Sequence, residues 1–166
     1  IGGQNQSVRH QIILRASEIQ ASGFLKGKID SLEFYIINNF GRSNLQDFQI
    51  SMGCTSDTVL DTTTGWITGL TTVFGPSTIG LSTGTINGYQ ALQLANPYVW
   101  DGSSNVVIDI CYNNSIGFNP TVNASMRYTN TSYNSVMYGF SDGGSVCGTD
   151  TIQGMSTQRP NIRLVG

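Results

Sequence analysis

The stretch Pro97-Tyr98-Val99-Trp100-Asp101-Gly102-Ser103-Ser104-Asn105-Val106-Val107-Ile108-Asp109-Ile110-Cys111-Tyr112-Asn113-Asn114 decides the fold class. Asp101 to Asn105 is a turn signal, because Asp and Asn side chains bond their own backbone and Gly accepts conformations closed to other residues. The run after it is rich in β-branched residues and alternates with period two. Val106, Ile108, Ile110 and Tyr112 fall on one face; Val107, Asp109 and Cys111 fall on the other. This is a strand that follows a turn.

Working outward, the same period recurs in Leu32, Phe34 and Ile36 and in Phe48, Ile50 and Met52. Further strands are expected at 11–14, 71–74, 89–94, 125–129, 135–138 and 161–165. Turn signals at Asn39-Phe40-Gly41, Gly75-Pro76, Asn87-Gly88 and Asp142-Gly143-Gly144 are expected to separate them. About nine short strands predict an all-β fold, an antiparallel β-sandwich or jelly roll. Residues 15–24 break the rhythm with good helix formers, a cap at Ser17 and a stop at Gly23, predicting one short helix. A chain of 166 residues without a linker or internal repeat reads as a single domain, 1–166.

Composition narrows the function. Charged residues make up 11%, against about 25% in an average domain. Ser, Thr, Asn and Gly together supply 69 of the 166 residues, and no Lys or Arg occurs between Arg42 and Arg127. Such neutral hydroxyl and amide surfaces suit an extracellular or cell-surface β-protein. Nucleic acid is not an expected partner, since phosphate binding needs clustered basic residues and the eight here are split between the two ends. No apolar run reaches the ~18 residues of a membrane span, so no membrane insertion is expected. The chain opens at Ile1 without a Met or a signal peptide, the expectation for a mature product or an excised module.

Three cysteines allow one intramolecular bridge. Cys111 shares a face with Asp109, which predicts a face partly open to solvent where a Gly-rich loop carrying Cys147 can lie. The Cys111–Cys147 pair is therefore favoured, with three reduced, buried cysteines as the alternative and no role legible for Cys54. Zinc is not expected, because no cysteine spacing fits a site and His10 is the sole histidine.

The same His10 would have to anchor any nucleophilic triad, and nothing beside it supplies a partner. A glycosidase needs paired carboxylates across a cleft, and the chain has only Glu18, Glu33 and eight Asp. The expectation is that the protein is not an enzyme. Asp101 and Asn105 have the spacing that opens a calcium loop, but no Gly follows Asn105 and Tyr112 stands where a Glu is needed. A tight turn explains the same residues, and no cofactor other than this calcium candidate is suggested. Aromatic residues raise glycan binding, with Trp100, Tyr98 and Asp101 as a contact patch. The competing reading makes Trp100 a core anchor.

Four aspartates precede Ser or Thr and then a small or aliphatic residue: Asp30-Ser31-Leu32, Asp57-Thr58-Val59, Asp61-Thr62-Thr63 and Asp150-Thr151-Ile152. The triplets resemble the O-glycosylation sequon of exported Bacteroidota proteins, which would place glycans on Ser31, Thr58, Thr62 and Thr151. Ordinary turn and capping pairs are the alternative. Asn-x-Ser/Thr also occurs at Asn5, Asn113, Asn123 and Asn130.

Longer pieces carry a family resemblance. They are Arg9-His10-Gln11-Ile12 with Ala16-Ser17-Glu18-Ile19, then Ile29-Asp30-Ser31-Leu32-Glu33-Phe34, and Trp100-Asp101-Gly102-Ser103-Ser104-Asn105 with Ile110-Cys111-Tyr112-Asn113-Asn114. Thr131-Ser132-Tyr133-Asn134-Ser135 follows, and Cys147 precedes the closing Arg159-Pro160-Asn161-Ile162-Arg163. Over nearly its whole length the chain resembles β-sandwich modules of secreted and surface, adhesin-like proteins of Bacteroidota exported by type IX secretion. The resemblance implies no catalytic residues. The expected function is a non-enzymatic structural or adhesion module that self-associates into a filament or array, or binds other surface proteins and glycans. Residues 1–7, uncharged, are the suspected swapping segment. The alternative is a carbohydrate-binding module of a secreted multidomain protein.

Overall fold

The computed structural model describes residues 5–40, 44–114 and 124–166. Along the chain lie β1 (Ser7–Leu14), α1 (Ala16–Ala21), β2 (Gly27–Asn39), β3 (Asn44–Thr55), β4 (Thr71–Gly80), β5 (Gly84–Trp100) and β6 (Asn105–Asn113). They are followed by β7 (Ala124–Met126), β8 (Tyr128–Asn130), β9 (Val136–Ser141), β10 (Gly154–Ser156), β11 (Gln158–Pro160) and β12 (Ile162–Val165). The fold is all-β and antiparallel, as predicted. A six-stranded sheet, ordered β10-β9-β1-β6-β3-β4, packs against a smaller one ordered β12-β2-β5, with β7 also on β2 and a β11-β8 ribbon beside it.

The alternation in β6 places the core. Val106, Ile108, Ile110 and Tyr112 join Ile12, Ile50 and Met52 of the large sheet and Leu32, Phe34 and Leu94 of the small one in a single apolar layer. Trp100, 1% exposed, closes one end of it. β6 is flanked by β1 and β3 over nearly its full length, so its backbone is satisfied on both sides.

Several boundaries differ from the sequence reading. Residues 125–129 are two strands, because at Arg127 the chain leaves β2 and pairs with β11; Arg127 N–H donates to Tyr35 O and Asn161 N–H to Arg127 O. β10 and β11, three residues each, are too short to show a period. Asn87-Gly88 and Gly75-Pro76 are not turns between strands. Asn87, at φ 46°, sits within β5 where the pairing with β2 shifts register. Gly75, at φ 74°, sits within β4 where a Cβ would strike the Phe48 carbonyl. The demand for positive φ is what the sequence encodes, and a bulge uses it as readily as a hairpin does.

The helix ends before Gly23 as predicted, but Ser17 is not its cap. Arg15 holds that position, with Glu18 accepting the Arg15 N–H at 3.0 Å and Asn105 Oδ1 accepting the Ala16 N–H at 2.8 Å.

Candidate functional site

The second face of β6 is buried rather than partly open. Asp109 and Cys111 are 7% and 5% exposed. Leu60 and Trp66, from the 56–70 loop, pack on Ile13, Val107 and Met137 in a second apolar cluster. A charge survives there because it is paired. Arg9 Nη2 lies 2.7 Å from Asp109 Oδ2, Gln11 Nε2 donates to the same oxygen at 2.8 Å, and the guanidinium lies 4.4 Å from the Trp66 ring centroid. Gln11 also bonds Ile67 at both its backbone N–H and C=O. Arg9 reaches the Thr149 carbonyl at 3.1 Å. Loops 56–70 and 142–153 are thus fastened by a polar clamp, and the Cys111–Cys147 disulfide fastens the second of them covalently.

Of the Trp100, Tyr98 and Asp101 patch, Tyr98 and Asp101 meet at Cys54, whose Sγ lies 3.1 Å from Tyr98 Oη and 3.9 Å from Asp101 Oδ2, while Trp100 does not join them. Trp100 is a core anchor whose indole N–H donates to Ser104 O at 2.8 Å, so it presents no ring face to a sugar. Asp101 organises the turn, accepting from the Ser103 and Ser104 N–H groups at 2.7 and 2.8 Å and from Ser104 Oγ at 2.6 Å. These hydrogen bonds, led by that of Ser104, hold its carboxyl well below the usual range. Asn105 turns away to α1 and to Asp57 O. The Asp101 oxygens accept from the turn while Asn105 bonds Ala16 and Asp57, so the two residues of the calcium candidate do not converge on one point. Among the described residues no group of three His, Cys, Asp or Glu could hold a metal. Cys54 is exposed and unbridged, 3.1 Å from Tyr98 Oη.

Among the O-glycosylation candidates, Thr58, Thr62 and Thr151 are exposed. Ser31 is 8% exposed inside β2, with β5 and β12 on either side, and the folded sheet leaves no room for a glycan on it. Asp61 also forms an ordinary turn, accepting the Thr63 N–H at 2.8 Å. Asn123 lies outside the described residues.

Two further groups of charges are built around tyrosines. Arg159 grips Glu18 at 2.8 and 3.1 Å, Tyr133 Oη donates to Glu18 at 2.5 Å, and Arg15 covers the Tyr133 ring at 3.5 Å. Burial would raise the Glu18 pKa, but the Arg159, Tyr133 and Arg15 hydrogen bonds outweigh it and lower it to about 2. On the outer face of the small sheet, Arg163 covers Tyr89 at 3.6 Å, Arg127 covers Tyr35 at 4.4 Å, and the two rings meet edge-on at 5.1 Å. Those faces are already occupied.

A charge-free region also exists, and the sequence reading missed it. From Thr62 to Trp100 there are 39 residues without one Asp, Glu, Lys, Arg or His. That run contains β4 and β5, the outermost strands of the two sheets. β4 is interrupted by Pro76 and by register shifts against β3. β5 is 17 residues long, and within it residues 88–95 carry neither Pro nor charge; Gln90, Ala91, Gln93 and Ala95 are exposed. The signal was present as a gap between Asp61 and Asp101, but only topology shows that the gap falls on sheet edges.

No family model, curated protein or solved structure matches the chain. Among the described residues no helix is long and apolar enough to cross a membrane.

Proposed function

We propose that this chain is a non-enzymatic structural or adhesion module of the cell surface or extracellular space, which self-associates through the free edge of β5. The observation that carries this reading is the charge-free stretch 88–95 on an edge strand. An unpaired edge offers a row of N–H and C=O groups to a further strand, and proteins that avoid such pairing place Lys, Pro or inward charges there. β5 has none of these in that stretch. An edge that any strand can extend serves a filament or array.

The chemistry of the ionisable groups supports a non-catalytic reading. Glu18, Glu33 and Asp109 are each held by an arginine. Desolvation pushes the only imidazole, His10, down to about 3, with no acid or nucleophile bonded to it. The suspected swapping segment is a weaker route, because Asn5 and Gln6 bond Asp142 and Ser7 is fully buried in the large sheet. The disulfide suits an oxidising compartment. Export by type IX secretion, with glycans on Thr58, Thr62 and Thr151, belongs to the same reading; the intact mass of native protein tests it, and an unmodified mass removes it.

Sedimentation velocity and electron microscopy test the function itself. The wild type forms concentration-dependent assemblies, and the double variant Gln90→Lys/Gln93→Lys stays monomeric. A wild type that is monomeric at every concentration would sink the proposal.

A further inference from the structure

Which backbone groups of β5 face its free edge follows from the bonds of β2. In an antiparallel sheet the N–H and C=O of one residue point to the same side, and successive residues alternate. Tyr35 N–H donates to Asn161 O and Tyr35 C=O accepts from Arg127 N–H, both on the side of β2 away from β5. Tyr35 therefore sends no backbone bond to Tyr89, its cross-strand neighbour in β5. The alternation settles the rest of the regular register, residues 88–93. Gly88, Gln90 and Leu92 turn their backbone groups to β2; Tyr89, Ala91 and Gln93 turn theirs to the open edge. Among the described residues no strand lies there, and the Tyr89 carbonyl accepts the Gln90 side-chain amide at 3.1 Å.

The side chains sort the same way. Leu92 and Leu94 belong to the core, so Gln90 shares the inner face with them, while Tyr89, Ala91 and Gln93 stand on the outer face. An apolar cavity of about 190 Å³ between the sheets reaches this edge at Gln90 and Leu92. A strand built for a foreign partner can carry charges matched by opposite ones. A strand that meets its own copy brings any net charge against the same charge, which destabilises cross-strand pairs. Neutrality over 88–95 is what pairing with itself requires.

We propose that β5 pairs antiparallel with β5 of a second copy, about a two-fold axis at Ala91. This rests on the self-association proposed above and names its partner and register. Only this axis joins all three edge-facing residues to one another: Tyr89 to the partner's Gln93, Ala91 to the partner's Ala91, and Gln93 to the partner's Tyr89. Moving it one residue either way sets Tyr89 or Gln93 opposite a position outside the regular register. Ala91, the smallest of the three, stands where identical side chains meet. On the inner face Gln90 meets the partner's Leu92, which extends the cavity wall. A two-fold pair closes on itself. The edge thus yields a dimer, and a filament or array is built from such dimers through a further contact.

Cysteine cross-linking of the full chain tests the axis, in a Cys54→Ser background that removes the exposed thiol. Opposed residues of a hydrogen-bonded pair have Cα atoms about 5.5 Å apart, within disulfide range. Under oxidised glutathione, Ala91→Cys should give the covalent dimer at least tenfold faster than Gln93→Cys or Tyr89→Cys, whose copies would lie about 14 Å apart. A mixture of the last two should give the heterodimer as fast as Ala91→Cys. Fast cross-linking of all three single variants would mean parallel pairing, and fast cross-linking at 89 or 93 alone a different axis; either overturns the inference and leaves assembly through β5 standing. Slow cross-linking at every position, in a protein that assembles, overturns both. A wild type that sediments as a monomer at every concentration fails the functional reading first, and this inference with it.

Discussion

The small sheet has two edges, and they are built on opposite principles. At one edge β12 is only four residues long; its Arg163 lies 3.6 Å from Glu33 and 3.6 Å from the Tyr89 ring. Just before it, Asn161 links β2 and the β7–β8 junction by backbone hydrogen bonds, and Arg159 is tied to Glu18 and Tyr133. At the other edge β5 runs for 17 residues without a charge. One edge is short, charged and enclosed by its neighbours; the other is long, neutral and, among the described residues, unpaired. A sandwich that only had to remain a monomer would gain by guarding both. The asymmetry is the physical reason for assigning assembly to β5.

Substitutions should therefore cost stability where the structure is tied together, on the covered face of the large sheet and beside β12, and almost none on the open β5 edge. Replacing both Cys111 and Cys147 by Ser should cost about 2–4 kcal/mol in a urea melt, since the bridge spans 36 residues of sequence. Arg159→Ala should cost about 1.5–3 kcal/mol by the same measurement, because it removes the charge-assisted bonds to Glu18 and the bond to Tyr133 Oη.

The acid limb of stability should follow Glu18. Its folded pKa of about 2 lies below its ordinary 4.5. Its contribution is complete above about pH 4.5 and is lost as pH falls through about 2. Thermal melts of Glu18→Gln should accordingly lose less stability than wild type over that window; equal losses would show that Glu18 does not control it. Arg163→Ala should cost no more than about 1 kcal/mol, the pair being exposed. Gln90→Lys/Gln93→Lys should change the urea midpoint by less than about 0.5 kcal/mol, yet weaken association at least about tenfold by like-charge repulsion across the new edge.

Much of this architecture is legible in the residues. Period-two alternation in β6 gives the strand and its core face, and Trp100 reads as the anchor it is. The disulfide partner was also legible, though for an incomplete reason. Asp109 suggested an open face, whereas the face is buried and Arg9, about a hundred residues away in sequence, neutralises it. Loops 56–70 and 142–153 gave no sign of covering a sheet, because Leu60, Trp66 and Val146 are isolated apolar residues among Thr and Gly with no period to read. Asn87-Gly88 encodes a conformation, not a chain reversal. Edge or centre is a property of pairing partners, so the charge gap acquired meaning only when β4 and β5 proved to be outermost.

The most direct test of the β5 assignment is amide hydrogen exchange across the small sheet at low and high protein concentration. Pairing through the free edge predicts that protection of residues 88–95 rises with concentration while that of β12 stays constant. Exchange in 88–95 that is identical at both concentrations, in a protein that nonetheless assembles, would contradict the account and place the contact elsewhere.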